Sequence, residues 1–268
     1  MRWRRGCAVL PLAGRAEMRA PESILPLRAE GLGFSAGGVE ILRDVALKIE
    51  AGAPTLLIGA NGAGKSVLLR LLHGLLAPSA GCVFWDCASD KAARHQAMVF
   101  QRPVLLRRSV LANTLYPLKL AGLPREACLA RAEEALALVG LADRVQDPAR
   151  RLSVGQQQRL ALARAAALQP ELLFLDEPSA SLDPAATRAV EEIVLTLARR
   201  GTKIVMTTHD LAQARRLAGD VVFLHRGRVL EQAPAEAFFQ EPRQKLRAPF
   251  CVANWFGDNV QDKEGELR

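Results

Sequence analysis

Short apolar runs alternate with helical stretches along most of this chain. Five of the runs have the length and composition of strands, at residues 55–59, 97–101, 171–177, 203–209 and 220–225. Such alternation is typical of a parallel sheet flanked by helices. The pattern therefore predicts an α/β fold that begins at Leu27.

The strand pattern disappears between residues 102 and 169, where the periodicity becomes helical, most clearly in "PREACLARAEEALALVG". We therefore predict an all-helical insert, about residues 102–169, within the α/β core. Farther along, Arg226 and Gly227 separate two strand-like runs and predict a hairpin turn. No internal repeat is visible in the sequence, which indicates one such unit rather than a tandem pair.

The two ends of the chain carry weaker patterns. Residues 1–26 contain a basic start and a short apolar run that Pro11 interrupts. Because that run is too short for a secretion signal, we predict a disordered extension there. One domain is predicted over residues 27–241, followed by a C-terminal tail over residues 242–268 to which no element is assigned.

No apolar run approaches the ~18 to 20 residues that span a bilayer. The longest, "SVLLRLLHGLLAP", is broken by Arg70 and His73, so a protein that serves a membrane would do so from outside the lipid.

The chain has 5 cysteines, which is an odd number, and their spacing is not that of a zinc site. This pattern favours reduced thiols in a cytosolic protein. Cys82 and Cys87 are interpreted as packing residues, with metal binding as the lesser alternative.

The net charge of +8 raises the question of a nucleic-acid partner. The arginines are spread along the chain, however, and only 9 residues are Phe and 1 is Tyr. The sequence therefore lacks the mixture of basic and aromatic residues that single-strand binders use. A basic surface facing anionic lipid headgroups explains the charge equally well, and we predict no nucleic-acid partner.

The first chemical motif is "GANGAGKS", which fits the phosphate-binding loop template and stands between a predicted strand and a predicted helix. Glycines let the backbone wrap a phosphate, while the helix N-terminus adds partial positive charge. We expect Lys65 to bind the β- and γ-phosphates of ATP and Ser66 to ligate Mg²⁺. A chance glycine-rich turn is the alternative. The predicted cofactor-binding residues of the loop are Gly59, Ala60, Asn61, Gly62, Ala63, Gly64, Lys65 and Ser66.

The second motif is "LLFLDEP", an apolar strand that ends in Asp176 and Glu177. Carboxylates at the end of a buried strand are costly unless they face a site. We expect Asp176 to organise Mg²⁺ and Glu177 to orient or deprotonate the attacking water. Helix capping is the alternative, but it explains one carboxylate and not the pair.

Gln101 and His209 each end a strand of the same predicted sheet. Ligands of open α/β sheets bind at the edge where the parallel strands end. We therefore expect Gln101 to contact Mg²⁺ and the water, and His209 to contact the γ-phosphate. A loop residue and a structural histidine are the alternatives, and Asp210 is interpreted as the cap of the next helix.

The stretch "RLSVGQQQRLALARA" predicts a helix that starts with a capping box between Ser153 and Gln156. Capping by itself does not explain Gly155, which we interpret as keeping the helix start open to a phosphate. In "SASLDP", Asp183 is an N-cap and Pro184 stands at the first helical position.

With "GANGAGKS", "LSVGQQQR", "LLFLDEP", "SASLD" and "TTHD" in this order, residues 27 to 240 resemble the ATP-binding cassette (ABC) ATPases. The resemblance implies a P-loop NTPase core with a mostly parallel sheet, an N-terminal antiparallel β portion and the helical insert. It also implies ATP and Mg²⁺ as cofactors and a second copy of the chain, arranged head to tail. Ser153, Gly155 and Gln156 would then contact ATP held by the other subunit, with Asp183 near the partner's phosphate loop.

The sequence departs from the family pattern at two places. Val154 stands where the family usually has a glycine, which predicts altered packing at the subunit interface. The family also stacks an aromatic residue on adenine just before the phosphate-loop strand. Phe34 is the candidate here, although it stands slightly early in the sequence.

A single cassette without fused membrane helices resembles the ATPase subunit of an importer. The segment "VFQRPVLLRRSVLANTLYPLKLAG" is similar to the region that meets the permease in such importers. Its amino-acid sequence most resembles that of oxyanion importers, particularly those of tungstate. The resemblance implies a membrane permease and, indirectly, a substrate-binding protein as partners. It places the chain in the cytoplasm, peripheral on the inner face of the plasma membrane.

Three alternatives to an oxyanion importer stay open. One is an importer cassette for another small solute, such as phosphate, molybdate or amino acids. Another is a soluble cassette that acts on DNA or ribosomes, although those usually carry tandem cassettes, coiled coils or zinc inserts. The third is a regulatory cassette that does not hydrolyse ATP.

Overall fold

A computed structural model describes residues 23–87 and 89–240 of the chain. The strands are β1 (Leu27–Ala36), β2 (Val39–Ile49), β3 (Thr55–Ile58), β4 (Ala80–Phe84), β5 (Gln96–Val99), β6 (Leu172–Asp176), β7 (Lys203–Thr208), β8 (Asp220–His225) and β9 (Arg228–Pro234). The α-helices are α1 (Lys65–His73), α2 (Ser89–Arg94), α3 (Val110–Leu120), α4 (Arg125–Leu138), α5 (Val154–Ala166), α6 (Pro184–Arg199), α7 (Leu211–Leu217) and α8 (Ala235–Gln240).

The larger sheet has six strands in the order β5-β6-β7-β3-β8-β9. The first five are parallel, and β9 returns antiparallel to β8 through the turn at Arg226 and Gly227. Every residue of β3, β6 and β7 is buried, as expected for parallel strands covered on both faces. The predicted α/β fold with a mostly parallel sheet and the predicted hairpin are therefore confirmed.

The smaller sheet is antiparallel, with the order β2-β1-β4. It confirms the antiparallel β portion, but its third strand comes from residues 80–84, after α1. The apolar runs did not single out β1 and β2, because their buried residues are interspersed with exposed ones and bulges interrupt their pairing. Cys82 lies in β4, and Cys87 packs against the core beneath this sheet.

Two apolar cores lie on opposite faces of the larger sheet. Because side chains alternate along a strand, Leu173 and Leu175 of β6 belong to the core shared with the helical insert. Phe174 between them belongs to the core shared with α1 and the antiparallel sheet. The larger sheet is thus the common wall of both halves of the protein.

The helical insert contains α3, α4 and α5, with short 3-10 turns at Ala142–Arg144 and Ala149–Arg151. Residues 102–169 are all described and contain no strand, which agrees with the prediction. Within the two described ranges, no helix combines the length and apolar character needed to cross a membrane.

The packed part of the chain includes residues just before the predicted start at Leu27. Ile24 and Leu25 are buried, and the Ile24 amide donates to the carboxylate of Glu171 at 3.0 Å. Four residues of the predicted extension, 23–26, are therefore part of the folded domain. The rest of that extension, residues 1–22, lies outside the described residues, as does the predicted tail at 242–268.

His73 at the end of α1 is a half-buried ionisable group whose ring lies against the core. Its ring packs edge-on against Phe174, with ring centroids 5.6 Å apart. Its Nδ1 atom has no hydrogen-bond partner among the described residues. Burial lowers the pKa of His73 to about 4, because the charged imidazolium loses its hydration.

We expect the free energy of unfolding to decrease as the pH falls from about 6.5 toward 4, because the unfolded chain then binds a proton that folded His73 does not. Between pH 7 and pH 5 the loss from this residue is about 1 to 2 kcal/mol. His73→Phe retains the ring contact and removes the titration, so urea unfolding of the variant should depend less on pH. An equal loss of stability in wild type and variant would contradict the assignment.

Candidate functional site

The phosphate loop joins β3 to α1 at the edge where the parallel strands end. Gly62 and Gly64 have φ angles of 78° and 101°, in the left-handed region that favours glycine. The buried Lys65 ammonium donates to the carbonyl oxygens of Gly59 at 2.8 Å and Ala60 at 3.2 Å. The loop therefore curves around the Lys65 ammonium.

The hairpin turn between β8 and β9 braces this loop against the antiparallel sheet. The Gly227 amide donates to the Ala63 carbonyl at 3.1 Å, and the Gly227 carbonyl accepts from the Arg43 amide at 2.8 Å. A Cβ atom at Gly227 would lie 2.2 Å from the Ile41 carbonyl oxygen, so no side chain fits there. The turn therefore connects the phosphate loop at the end of β3 to β2 of the antiparallel sheet through backbone hydrogen bonds.

Asp176 is the last residue of β6 and is 2% exposed. Its Oδ1 atom accepts from the Ser66 hydroxyl at 2.7 Å and from the Thr207 hydroxyl at 3.0 Å. The Arg70 guanidinium stands 3.8 Å from its other oxygen. These partners compensate a buried carboxylate that would otherwise be strongly destabilising.

Glu177 stands next to Asp176 with a φ of 44°, an uncommon conformation for a residue other than glycine. One carboxylate oxygen lies 3.3 Å from Lys65 Nζ, and the other lies 3.1 Å from His209 Nδ1. The strained backbone therefore turns the side chain toward both groups, and such strain is concentrated at functional sites. The structure brings Lys65, Glu177 and His209 into one cluster.

Thr207 is a member of this cluster that sequence reasoning missed. It is fully buried on β7, donates to Asp176 and accepts from the Glu177 amide at 2.9 Å. A single hydroxyl group thus fixes the side chain of one acid and the backbone of the next. The signal was present in "MTTHD", but threonine is also an ordinary strand residue.

Gln101 and Phe34 are two of the predicted site residues that lie outside this cluster of contacts. Gln101 is exposed two residues after β5, at the same sheet edge, and its side chain has no hydrogen bond to another described residue. Phe34 is half-buried on β1 opposite Leu42, which itself contacts the phosphate loop at Gly64. Phe34 is therefore one strand away from the loop. Asp210 caps α7 through the amides of Ala212 and Gln213, as interpreted from the sequence.

The start of α5 confirms the predicted capping box. The Ser153 hydroxyl accepts from the Gln156 amide at 3.3 Å, and the Gln156 side chain accepts from the Ser153 amide at 3.0 Å. Val154 is the first residue of α5 and is 65% exposed. The helical backbone at Val154 tolerates any L-residue, so the structure places no steric demand for glycine there.

Gly155 has an explanation inside the chain that the sequence did not reveal. A Cβ atom at this position would lie 2.8 Å from the Cβ atom of Ala186, in the first turn of α6. Helix packing therefore gives a second reason for Gly155, beside the phosphate contact that the sequence analysis interprets. Asp183 caps α6 through the Ala186 amide at 2.8 Å, as predicted. The starts of α5 and α6 thus form one tightly packed exposed corner.

Comparisons with known proteins agree with this geometry. Residues 42–180 match the model of the family described as "ABC transporter". The chain is 37% identical over 247 residues to the phosphate import ATP-binding protein PstB 1 of Yersinia pestis bv. Antiqua, covering 85% of this chain and 91% of that protein. It is 37% identical over 229 residues to the L-cystine transport system ATP-binding protein TcyN of Escherichia coli, covering 80% and 92% respectively.

A methionine import ATP-binding protein, MetN of Myxococcus xanthus, is 38% identical over 226 residues, which are 80% of this chain and 68% of MetN. Two solved structures share the fold at 27% identity. One is cbiO1 from Clostridium perfringens, part of the ABC transporter complex cbiONQ, with a TM-score of 0.74 over 86% of this chain and 97% of cbiO1. The other is an ATP-binding cassette in a dimeric post-hydrolysis state with ADP and Pi, with a TM-score of 0.69 over 78% of this chain and 98% of that one.

The contact between α5 and α6 gives a prediction that involves no nucleotide. Gly155→Ala should destabilise the protein by about 1 kcal/mol, because the new methyl group overlaps Ala186. Ala186→Gly removes the overlapping atom, so the double variant should be more stable than the sum of the two single changes. Urea unfolding without nucleotide measures all three variants. Additive effects would contradict a direct contact.

Proposed function

The chain belongs to the ABC transporter family and is an ATPase, and from this premise we propose that it is the ATP-hydrolysing subunit of an importer. In this proposal two copies form a head-to-tail dimer that drives a membrane permease from the cytoplasmic face. The observation that carries the proposal is the cluster of Lys65, Glu177 and His209 beside the phosphate loop. That cluster supplies a phosphate-binding cation, a general base and a polar group at a single sheet edge.

Each member of the cluster has a distinct role in the proposed reaction. Lys65 exchanges its contacts with the loop carbonyls for the β- and γ-phosphates of ATP. Glu177 orients the attacking water and accepts its proton, while His209 holds the carboxylate and contacts the γ-phosphate. Gln101 is proposed to contact Mg²⁺ and the water. Gln101 follows β5, and the phosphate loop follows β3. Because both strands end at the same edge of the sheet, this placement supports a shared role.

The oxygen atoms of Ser66 and Asp176 suit Mg²⁺, which prefers hard oxygen ligands. They already lie 2.7 Å apart, and the carboxylate is buried with its charge compensated. We propose that these two residues hold Mg²⁺, Asp176 directly or through water, together with Gln101. When bound, the ion would neutralise the charge that develops on the phosphates.

The proposed dimer contributes a second set of contacts to each nucleotide. Ser153, Gly155 and Gln156 would contact ATP held by the other copy, and Asp183 would lie near the partner's phosphate loop. The exposed corner formed by the starts of α5 and α6 supports this role, because helix N-termini favour phosphate groups. Val154, which is exposed in one copy, would then be covered in the dimer.

Phe34 is proposed to stack on the adenine ring. It is half-buried on β1, the central strand of the antiparallel sheet, and its cross-strand neighbour Leu42 touches the phosphate loop. A nucleotide whose phosphates occupy the loop would therefore extend toward this antiparallel sheet. The position of Phe34 supports the assignment.

The transported solute is proposed to be an oxyanion such as tungstate, delivered by a substrate-binding protein. The sequence of residues 99–122 supports this choice, and the relative from Yersinia pestis is named for the import of phosphate, which is also an oxyanion. The names of the methionine and cystine relatives make amino acids the competing solutes.

The proposed function is tested by purifying the tagged chain from the cells that make it, together with any membrane protein that remains bound. ATP hydrolysis by the reconstituted complex should rise when tungstate, molybdate or phosphate is supplied on its binding protein. A complex with Glu177→Gln is the matched control and should bind ATP without hydrolysing it. Stimulation by methionine or cystine alone would refute the oxyanion proposal, and purification without a permease would refute the importer proposal.

Thr207 offers a prediction about positioning in the ATPase site. Thr207→Val removes the hydroxyl that holds Asp176 and the Glu177 amide, so two hydrogen bonds are lost and kcat should fall about tenfold or more. The KM for ATP should change little, because Thr207 does not line the phosphate loop. Thr207→Ser keeps the hydroxyl and should retain most of the activity. Equal loss in both variants would indicate that only the packing of Thr207 matters.

A further inference from the structure

A buried polar network beside the ATPase site joins three separate segments of the core. Gln213 of α7 is 2% exposed, and Glu191 of α6 is 6% exposed. The Gln213 side-chain amide donates to the Ser179 hydroxyl at 2.8 Å and to the Glu191 carboxylate at 3.0 Å. Polar side chains as deeply buried as these need hydrogen bonds, so the three segments are held in one arrangement.

An ion pair determines which atom Gln213 offers to Ser179. The Arg216 guanidinium donates to both oxygens of Glu191, at 3.1 Å from Nε and 2.7 Å from Nη2. Because an ionised carboxylate only accepts hydrogen bonds, Gln213 must turn its NH₂ group toward Glu191. The second N–H of that group is then directed at the Ser179 hydroxyl.

Ser179 lies in the middle of the connection between β6 and α6. It stands two residues after Glu177 and four residues before Asp183. The Ala180 amide donates to the Glu177 carbonyl at 3.1 Å, and the Leu182 amide donates to the Ser179 carbonyl at 3.2 Å. Ser179 is therefore shared by two consecutive turns, and a hydrogen bond to it holds the whole connection.

The backbone of Gln213 is fixed to the chain that leaves β7. Gln213 lies in the first turn of α7, four residues after His209. Asp210 accepts from the amides of Ala212 at 2.8 Å and Gln213 at 3.2 Å. The Asp210 amide in turn donates to the Thr208 hydroxyl at 3.0 Å. Gln213 consequently has a defined position relative to His209.

The bond between Gln213 and Ser179 thus joins the same two segments that supply Glu177 and His209. The side chains of Glu177 and His209 meet at 3.1 Å, but that of His209 is 50% exposed, so their contact is partly open to water. The bond from Gln213 lies deeper in the protein, where a hydrogen bond is stronger. It therefore sets the distance between the two segments from behind the site.

We propose that Gln213 is a positioning residue of the ATPase. Through Ser179 it holds the segment at residues 177–183 at a fixed distance from the segment that carries His209. This inference rests on the proposed roles of Glu177 and His209. A residue that aligns the reacting groups without binding the nucleotide changes kcat more than the KM for ATP.

The test is a double-mutant cycle on the purified full chain, with ATP hydrolysis as the readout. Gln213→Met keeps the length of the side chain and removes its hydrogen bonds, while Ser179→Ala removes the hydroxyl. Each change should lower kcat roughly tenfold and leave the KM for ATP unchanged. The double variant should be no slower than the slower single variant, because both changes remove the same bond.

Two control variants separate positioning from packing. Ser179→Thr keeps a hydroxyl group and should retain most of the kcat. Gln96→Met removes a comparable hydrogen bond, from the Gln96 amide to the His73 carbonyl at 3.0 Å. Gln96 starts β5 at the opposite edge of the sheet, so this variant should keep the wild-type kcat. Urea unfolding measures the stability of every variant.

Three results would overturn the inference. They are an unchanged kcat in both Gln213→Met and Ser179→Ala, effects that multiply in the double variant, and an equal loss of kcat in Gln96→Met. If Gln213→Met does not fold, Ser179→Ala and Ser179→Thr decide, and an equal kcat in these two variants would overturn the inference. Hydrolysis at the wild-type rate by Glu177→Gln would instead refute the proposed roles of the site residues.

Discussion

The buried carboxylate of Asp176 is the constraint on which the rest of the structure depends. It ends a strand in the middle of the protein, where an unpaired charge would cost several kcal/mol. Ser66 after β3 and Thr207 on β7 both donate to it, so three chain segments must meet at one point. The order of the parallel strands, with β7 between β6 and β3, brings these segments together. The stability of the fold and the assembly of the site therefore rest on the same hydrogen bonds.

Close backbone contacts at glycines then join this centre to the other parts of the molecule. The turn at Gly227 touches both the phosphate loop and β2, because no side chain separates the three backbones. At Gly155 the start of α5 approaches the start of α6 in the same way. Each of these contacts therefore joins a segment of the ATPase site directly to another part of the molecule.

The helical insert carries two surfaces of different chemistry. One is the start of α5 at Ser153, which forms a corner with the start of α6 at Asp183 in the core and presents helix N-termini that suit phosphate groups. The other is a pocket lined by Arg107, Arg108 and Arg150, in which Asn113 holds the loop that carries the first two guanidinium groups. The insert is attached to the core through α5, whose packing against α6 and β5 connects both surfaces. The two surfaces are therefore held by one packed unit.

The sequence by itself determined the chemistry of the site and most of the larger sheet. Fully apolar strands and the motifs around Lys65, Asp176 and Glu177 are local signals, since a buried parallel strand or a phosphate loop needs specific residues at adjacent positions. The apolar runs did not single out the half-exposed strands β1 and β2, because bulged antiparallel strands lack a clean alternation. Only the tertiary structure decided that Thr207 links the two acids, that Ala186 requires Gly155 to be a glycine, and that Arg107, Arg108 and Arg150 share a pocket. These are contacts between residues distant in sequence, and chain packing alone brings such residues together.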